Sequence, residues 1–253
     1  MIAISLQSGS NGNCIYVETE GAKLLFDAGI SSIQAKQRLA CFGRDINDVD
    51  ALIISHDHYD HIRCAGVYQR RYDLPVYITP KTLDRALKKH SLGRLKDVNY
   101  FMSGEEIQIS DVSVKTIPCP HDGVDGSVFV VSSGRKRLGI WTDLGHVFED
   151  LLSVIPSLDA VFIESNYDPH MLANGLYPAF LKQRIQGPQG HISNIEAAEL
   201  LQAGSRLKWA CLAHISNNNN TPQTALKTHR DIAGEDLTLY TAGRYTPTGI
   251  LSI

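Results

Sequence analysis

Apolar residues come in short, β-branched runs through the first third of the chain: "IAISL", "CIYVET", "KLLFDA" and "ALIIS". Turn-forming residues separate them, so each predicts a strand. One stretch, 33–42, spaces its apolar residues at helical intervals instead. Further along, "VYIT" predicts a short strand, followed by a helix with Thr79 as N-cap and Pro80 at its first position. Strand patterns return in "EIQI", "VSVKTIPC", "SVFVVS" and "RLGIWTD". The last third alternates. It predicts helices near 147–155 and 178–186, in "SNIEAAELLQAG" and after "TPQ", with strands "AVFIES", "WACLAHI" and "LTLYT" between or beyond them.

Each half thus runs from several strands into helices, which permits a pseudo-duplicated architecture. Strand runs bracketed by helices predict an α/β fold, two sheets face to face with helices outside. We find no low-complexity linker and expect one domain over 1–253. The glycine loop "SGSNGN" lies between two strands, whereas a phosphate-cradling loop should open a helix. It is read first as a tight connection and second as the rim of a site.

Composition narrows the partners. Hydrophobic residues make up 43 %, ample for a core, and 24 basic against 27 acidic side chains leave a net charge of −3. Bulk charge therefore does not mark a nucleic-acid binder, and any such partner needs a local basic patch. The stretch 81–96 offers one, with Lys81, Arg85, Lys88, Lys89, Arg94 and Lys96 against Asp84 alone. Its bland reading is a solvated helix face; its functional reading is a patch that tracks phosphates. The N-terminus has neither a basic start nor a long apolar run, so no signal peptide and no membrane span are expected. The cysteines Cys14, Cys41, Cys64, Cys119 and Cys211 form no framework, which fits reduced, mostly buried thiols and a cytoplasmic setting.

The densest chemistry is "SHDHYDH", residues 55–61, between the apolar strand "VDALII" and the helix-like "IRCAGVYQRRY". In an extended segment alternate side chains share a face, so His56 and His58 can converge on one metal ion. Asp60 and His61 can turn toward a neighbouring one. Imidazoles mixed with carboxylates suit zinc, iron, manganese or nickel rather than calcium. His121, Asp143 and His214 each follow a strand-like run and can complete two sites. His56, His58 and His121 would take the first ion. Asp60, His61 and His214 would take the second, with Asp143 bridging.

With this cluster as its signature, the chain resembles the metallo-β-lactamase superfamily along its whole length. The resemblance implies a four-layer αβ/βα sandwich with a dinuclear centre at one edge, and it supports those ligand roles. "GHISN" (190–194) and "AHIS" (213–216) resemble the nuclease branch. There the first histidine assists at the scissile phosphate and the second binds metal, roles carried to His191 and His214. Together with "SGSNGNC", "TDLGH", "ESNYDPHML", "LYPAFLKQRI" and "HISNNNN", these motifs look most like the YycJ (WalJ) group.

That likeness implies a compact exonuclease working from DNA 5′ ends with two divalent ions (zinc, manganese or iron) and a bridging hydroxide, whose proton Asp60 could hold. Between Asp143 and His191 there is no room for an inserted domain of about 50 residues or more. The alternatives are an RNA-processing endonuclease, a hydrolase of thioesters, lactams or cyclic phosphodiesters, and a binding module with a structural metal. Candidate substrate contacts are Ser193 and Asn194, which also read as a helix cap, and Asn217 and Asn218, which also read as a polar turn. Glu164 and Asn166 could support the ligands or cap a helix, and His146 could reach the site. His90, His170 and His229 are expected at the surface.

Overall fold

The structure is a computed structural model that describes all 253 residues. The chain divides into two compact units. The first holds Met1–Pro118, Gly123–Ser127 and Gly243–Ile253, the second Cys119–Asp122 and Val128–Ala242.

In the first unit, β1 (Ile2–Gln7), β2 (Cys14–Glu18) and β3 (Lys23–Phe26) form an antiparallel meander. The sheet continues in parallel through β4 (Ala51–Ile53), β5 (Val76–Ile78) and β6 (Val98–Tyr100). The C-terminal pair Leu251–Ser252 adds to its outer edge beside β1. Parallel neighbours need crossovers, and α1 (Ser32–Ala40), α3 (Ala65–Tyr72) and α4 (Pro80–Lys89) lie in them, with the short α2 (Tyr59–Ile62) ahead of α3. Leu6, Tyr16, Leu25, Leu52 and Ile54 pack with Ala35 and Leu39 of α1, Tyr68 of α3 and Leu83 and Ala86 of α4. Each of these long apolar side chains leaves water almost completely, at roughly 1.5–3 kcal/mol apiece. A hairpin, β7 (Glu106–Ile109) with β8 (Val112–Pro118), completes the unit.

Past its first residue β9 (Ser127–Ser133) belongs to the second unit, where it pairs antiparallel with β10 (Lys136–Trp141). From β10 the sheet runs parallel through β11 (Ala160–Glu164), β12 (Trp209–Ala213) and β13 (Thr238–Thr241). Its helices are α5 (Glu149–Val154), α6 (Pro169–Asn174), α7 (Ala179–Gln186), α8 (Asn194–Gln202) and α9 (Pro222–Ala233). Strands β11 and β12 are buried at every position, as parallel strands covered on both faces should be. No helix is long and apolar enough to cross a membrane.

The predicted strands and helices are found, with three differences. The helical pattern after the histidine cluster is broken at Cys64, so α2 and α3 are separate. Strand β6 and helix α6 carry too few periodic residues to announce themselves. The basic stretch 81–96 is helical only to Lys89.

Candidate metal centre

In the first unit the chain leaves β4 extended and turns at His58, which takes the N-cap position of α2 without using its side chain as a cap. Its imidazole is therefore not spent on the helix. Asp60 and His61 follow in α2. The rings of His58 and His61 lie 4.6 and 4.1 Å from that of His56. The helix sits directly on Gly29, where a Cβ would come within 1.7 Å of the Asp60 carbonyl oxygen, so only glycine permits this approach.

The supporting bonds fix the ring nitrogens. Asp27 accepts from the Ser55 backbone (2.8 Å), from its hydroxyl (2.9 Å) and from His61 Nδ1 (2.7 Å). The Ser55 hydroxyl has one proton, which goes to Asp27, so its oxygen accepts from His56 Nδ1 (2.9 Å). Both imidazoles thus carry their proton on Nδ1 and their lone pair on Nε2, the arrangement of a metal-binding histidine oriented from behind. Asn13, from the glycine loop, donates to Asp60 Oδ2 (3.2 Å) and to His61 Nε2 (2.8 Å). The loop is therefore both a tight connection and a rim. Buried Asp57 belongs to the scaffold. Burial pushes its carboxyl up, but Lys89 Nζ (2.8 Å) and the Val124 amide (2.7 Å) outweigh this and hold it below the ordinary range.

In the second unit the ends of three parallel strands supply side chains. Asp143 follows β10, Glu164 closes β11 and His214 follows β12. His191 joins from the turn between α7 and α8. Donor atoms of these four all lie within 4.8 Å of one another. Fully buried Glu164 accepts from the Leu144 amide (2.8 Å) and the Ile192 amide (3.2 Å) on one oxygen, and from His191 Nδ1 (2.7 Å) on the other. Burial alone would raise its carboxyl, but His191 and His214 hold it down. Burial likewise pushes the His191 imidazole down, and Glu164 and Asp143 outweigh it, so its pKa lies above the ordinary value. His121 donates from Nδ1 to the Gly190 carbonyl (2.8 Å), which leaves the lone pair on Nε2, and its ring is 5.1 Å from that of His191. His214 Nδ1 lies 3.1 Å from Asp143 and 3.3 Å from Glu164. Asn166 holds the His214 carbonyl at 2.9 Å.

Asp27, Asp143 and His214 all have left-handed backbones, with φ of 64°, 56° and 51°. Such angles are uncommon outside glycine and cluster where function fixes a side chain. Sequence reading gave Glu164 a supporting or capping role and Asp27 none, and the structure sets both carboxylates against candidate-site histidines. The signals were present, an aspartate before "AG" at one strand end and a glutamate closing a buried strand.

Other expectations need revision. Asn194 is fully buried, its side chain joined to Ser165 (2.5 Å) and Asn220 (3.0 Å), so it ties loops together rather than facing a substrate. Ser193 closes a capping box with Glu196, which uses its hydroxyl. Asn217 and Asn218 are exposed, and Asn218 donates to the Tyr177 hydroxyl. His170 is at the surface as expected. His229 is not: it is fully buried in α9. His90 is half-buried and bonds the Asp57 carbonyl. His146 is fixed by the Pro188 carbonyl (2.8 Å). In the basic stretch Lys89 is committed to Asp57 and Lys88 pairs with Asp84, leaving a smaller patch than its composition suggests. Cys41 is exposed, against the expectation of burial, and all five thiols are free.

The donor sets fit divalent metal. Imidazoles with Nδ1 engaged stand beside carboxylates in both units, the mixture that first-row transition metals take.

Residues 8–188 match the metallo-beta-lactamase superfamily. The chain is 35 % identical over 224 residues to exodeoxyribonuclease YycJ of Bacillus anthracis, covering 87 % of this chain and 84 % of that one. It is 34 % identical to exodeoxyribonuclease WalJ of Streptococcus pneumoniae serotype 2, covering 87 % and 83 %. Among solved structures, the metallo-beta-lactamase fold protein YhfI of Bacillus subtilis is similar with a TM-score of 0.72, at 15 % identity, over 98 % of this chain and all of that one. At that identity the likeness speaks for the fold.

Proposed function

The chain belongs to the metallo-β-lactamase superfamily, and from that premise we propose that it is a metal-dependent DNA exonuclease working from 5′ ends as one functional domain. The observation that carries this is His191: a histidine held by a buried carboxylate beside a metal donor set, in a chain about one-third identical to two exodeoxyribonucleases.

His56, His58 and His121 would hold one ion and Asp60, His61 and His214 the other, with Asp143 in donor sets with members of both. Imidazole mixed with carboxylate would suit zinc, manganese or iron. Bound there, they supply an acidified water and neutralise phosphate charge. The chain's own groups do the rest. Asp60 holds the proton of the attacking water. His191, its Nδ1 fixed on Glu164, directs Nε2 at the leaving oxygen and gives it a proton or stabilises the developing charge. Glu164 is a positioning residue, since it aims His191 and faces His214 without touching substrate. Asn217 and Asn218, exposed just past His214, are the proposed contacts to the substrate strand. Five free thiols favour a reducing, cytoplasmic setting.

The test is a linear duplex and a single strand labelled at either end, with matched RNA and a precursor tRNA alongside, in added manganese or zinc. Early release of 5′ label from DNA, with closed circles untouched, is expected. Trimming of the tRNA 3′ trailer alone would assign the chain to RNA processing.

A further inference from the structure

Beside the histidines of the second unit lies a cavity of about 580 Å³. Its walls include Pro120, Asp122, His146, Arg184, Pro188, Gln189 and Gly190. Three loops make it, and they are locked together. His146 Nδ1 donates to the Pro188 carbonyl (2.8 Å), the Asp122 amide to the Gln189 carbonyl (3.1 Å), and His121 Nδ1 to the Gly190 carbonyl (2.8 Å). Gly145 lies where they cross. A Cβ there would come within 1.7 Å of the Pro120 carbonyl oxygen and 2.4 Å of that of Pro188. The cavity is thus built into the fold, not left by a loose loop.

Its chemistry selects the guest. Arg184 donates from Nε (2.9 Å) and Nη2 to one oxygen of Asp122, so the wall presents a paired charge rather than a cation of its own for a second phosphate. What remains is mostly apolar: two proline rings, an imidazole, two glycines and the Gln189 side chain. The volume is in the range of small-molecule sites and exceeds what one base needs. Position supplies the rest. Asp122 follows His121 and Gly190 precedes His191, so the cavity begins one residue from two groups assigned to the reaction.

We infer that this cavity is a nucleobase subsite, taking the base of the nucleotide next to the scissile phosphate. Pro120, Pro188 and His146 would provide apolar and stacking contact, which every base can use, and His146 Nε2 an edge contact. The inference rests on the nuclease reading for its choice of guest.

Two measurements separate the inference from that reading. The first is calorimetric titration of the metal-loaded protein with deoxyadenosine, a nucleoside without phosphate, which needs no turnover. Saturable binding is expected, weakened about tenfold or more in Gln189→Trp, whose ring would occupy the cavity. The second compares oligonucleotides with a normal or a base-free sugar at the 5′ end. The base-free end should be cut with a KM raised about tenfold in the wild type, and the difference should vanish in Gln189→Trp. Absence of nucleoside binding, or equal binding by the filled variant, overturns the subsite. So does indifference of the wild type to the missing base. Nucleoside binding without any DNA cleavage would leave the subsite standing and remove the nuclease reading.

Discussion

His191 and His214 are similar in kind and placed for different work. Both imidazoles meet Glu164, but His191 does so through a short bond at 2.7 Å and keeps part of its side chain at the surface, while His214 is buried with Nδ1 near Asp143. We expect His191→Ala to keep its metal and lose about 10²–10⁴-fold in turnover, the range for a lost proton donor or charge stabiliser. Metal analysis of both alanine variants checks it. If the His191 variant loses metal as His214→Ala does, the donor set contains His191 and the proposed division of labour is wrong. The grouping of these side chains was legible from residue type and spacing, because "HDHYDH" and the later histidines are short-range patterns. Asp27, Asn13 and Glu164 were harder to see, because what defines them is contact with residues far away in sequence.

Among the elements, α9 shows where sequence reading failed and what the failure exposes. Its histidine, His229, sits in a helix with many polar neighbours, so pattern placed it outside. Instead it is buried, with Nδ1 donating to the Ala225 carbonyl at 2.8 Å. Burial penalises the imidazolium and lowers its pKa from 6.5 to about 4. In the unfolded chain the same ring protonates near its ordinary value. Between those two pH values the unfolded state binds more protons, so stability is full above about 6.5 and falls as pH drops toward 4. The loss from this residue approaches about 3 kcal/mol. Urea denaturation of wild type and His229→Leu at pH 7 and pH 4.5 measures it. The variant should lose less stability on acidification, and equal losses would show that the ring is already charged or hydrated in the fold. Helices α4 and α9 were legible in outline from Thr-Pro starts; α2 was not, because four residues cannot display a period.

For the whole molecule, charge and metal set the behaviour. A net charge of −3 means that nucleic-acid affinity has to come from the site and a local patch. With Lys89 bound to Asp57, reversing Arg85, Arg94 and Lys96 should flatten the salt dependence of DNA binding by about 0.7–0.9 log unit per lost contact, equally for unrelated sequences. An unchanged slope would return the stretch to plain solvation. Elemental analysis should find about two ions per chain, and chelation should lower the melting temperature, since metal bound only by the folded chain adds to its stability. Asp143→Ala should weaken retention of both ions, and full occupancy in that variant would exclude bridging.

The left-handed backbone at Asp143 has a consequence for how the protein can change. A left-handed backbone there suits glycine better than aspartate, and the Asp143 carboxylate crowds that of buried Glu164 while it meets His214 Nδ1 at 3.1 Å. Selection for robustness alone would replace it. Asp143→Gly relieves the backbone and the crowding and gives up the His214 contact; with the relief the larger effect, the metal-free variant should melt about 2–4 °C higher than the metal-free parent while hydrolysing nothing. A variant that melts lower would mean that the carboxylate is an internal support rather than a load. If it melts higher, the molecule at this strand end is less durable than its sequence could make it, and inactive descendants that drift at Asp143 should outlast their working ancestor on heating.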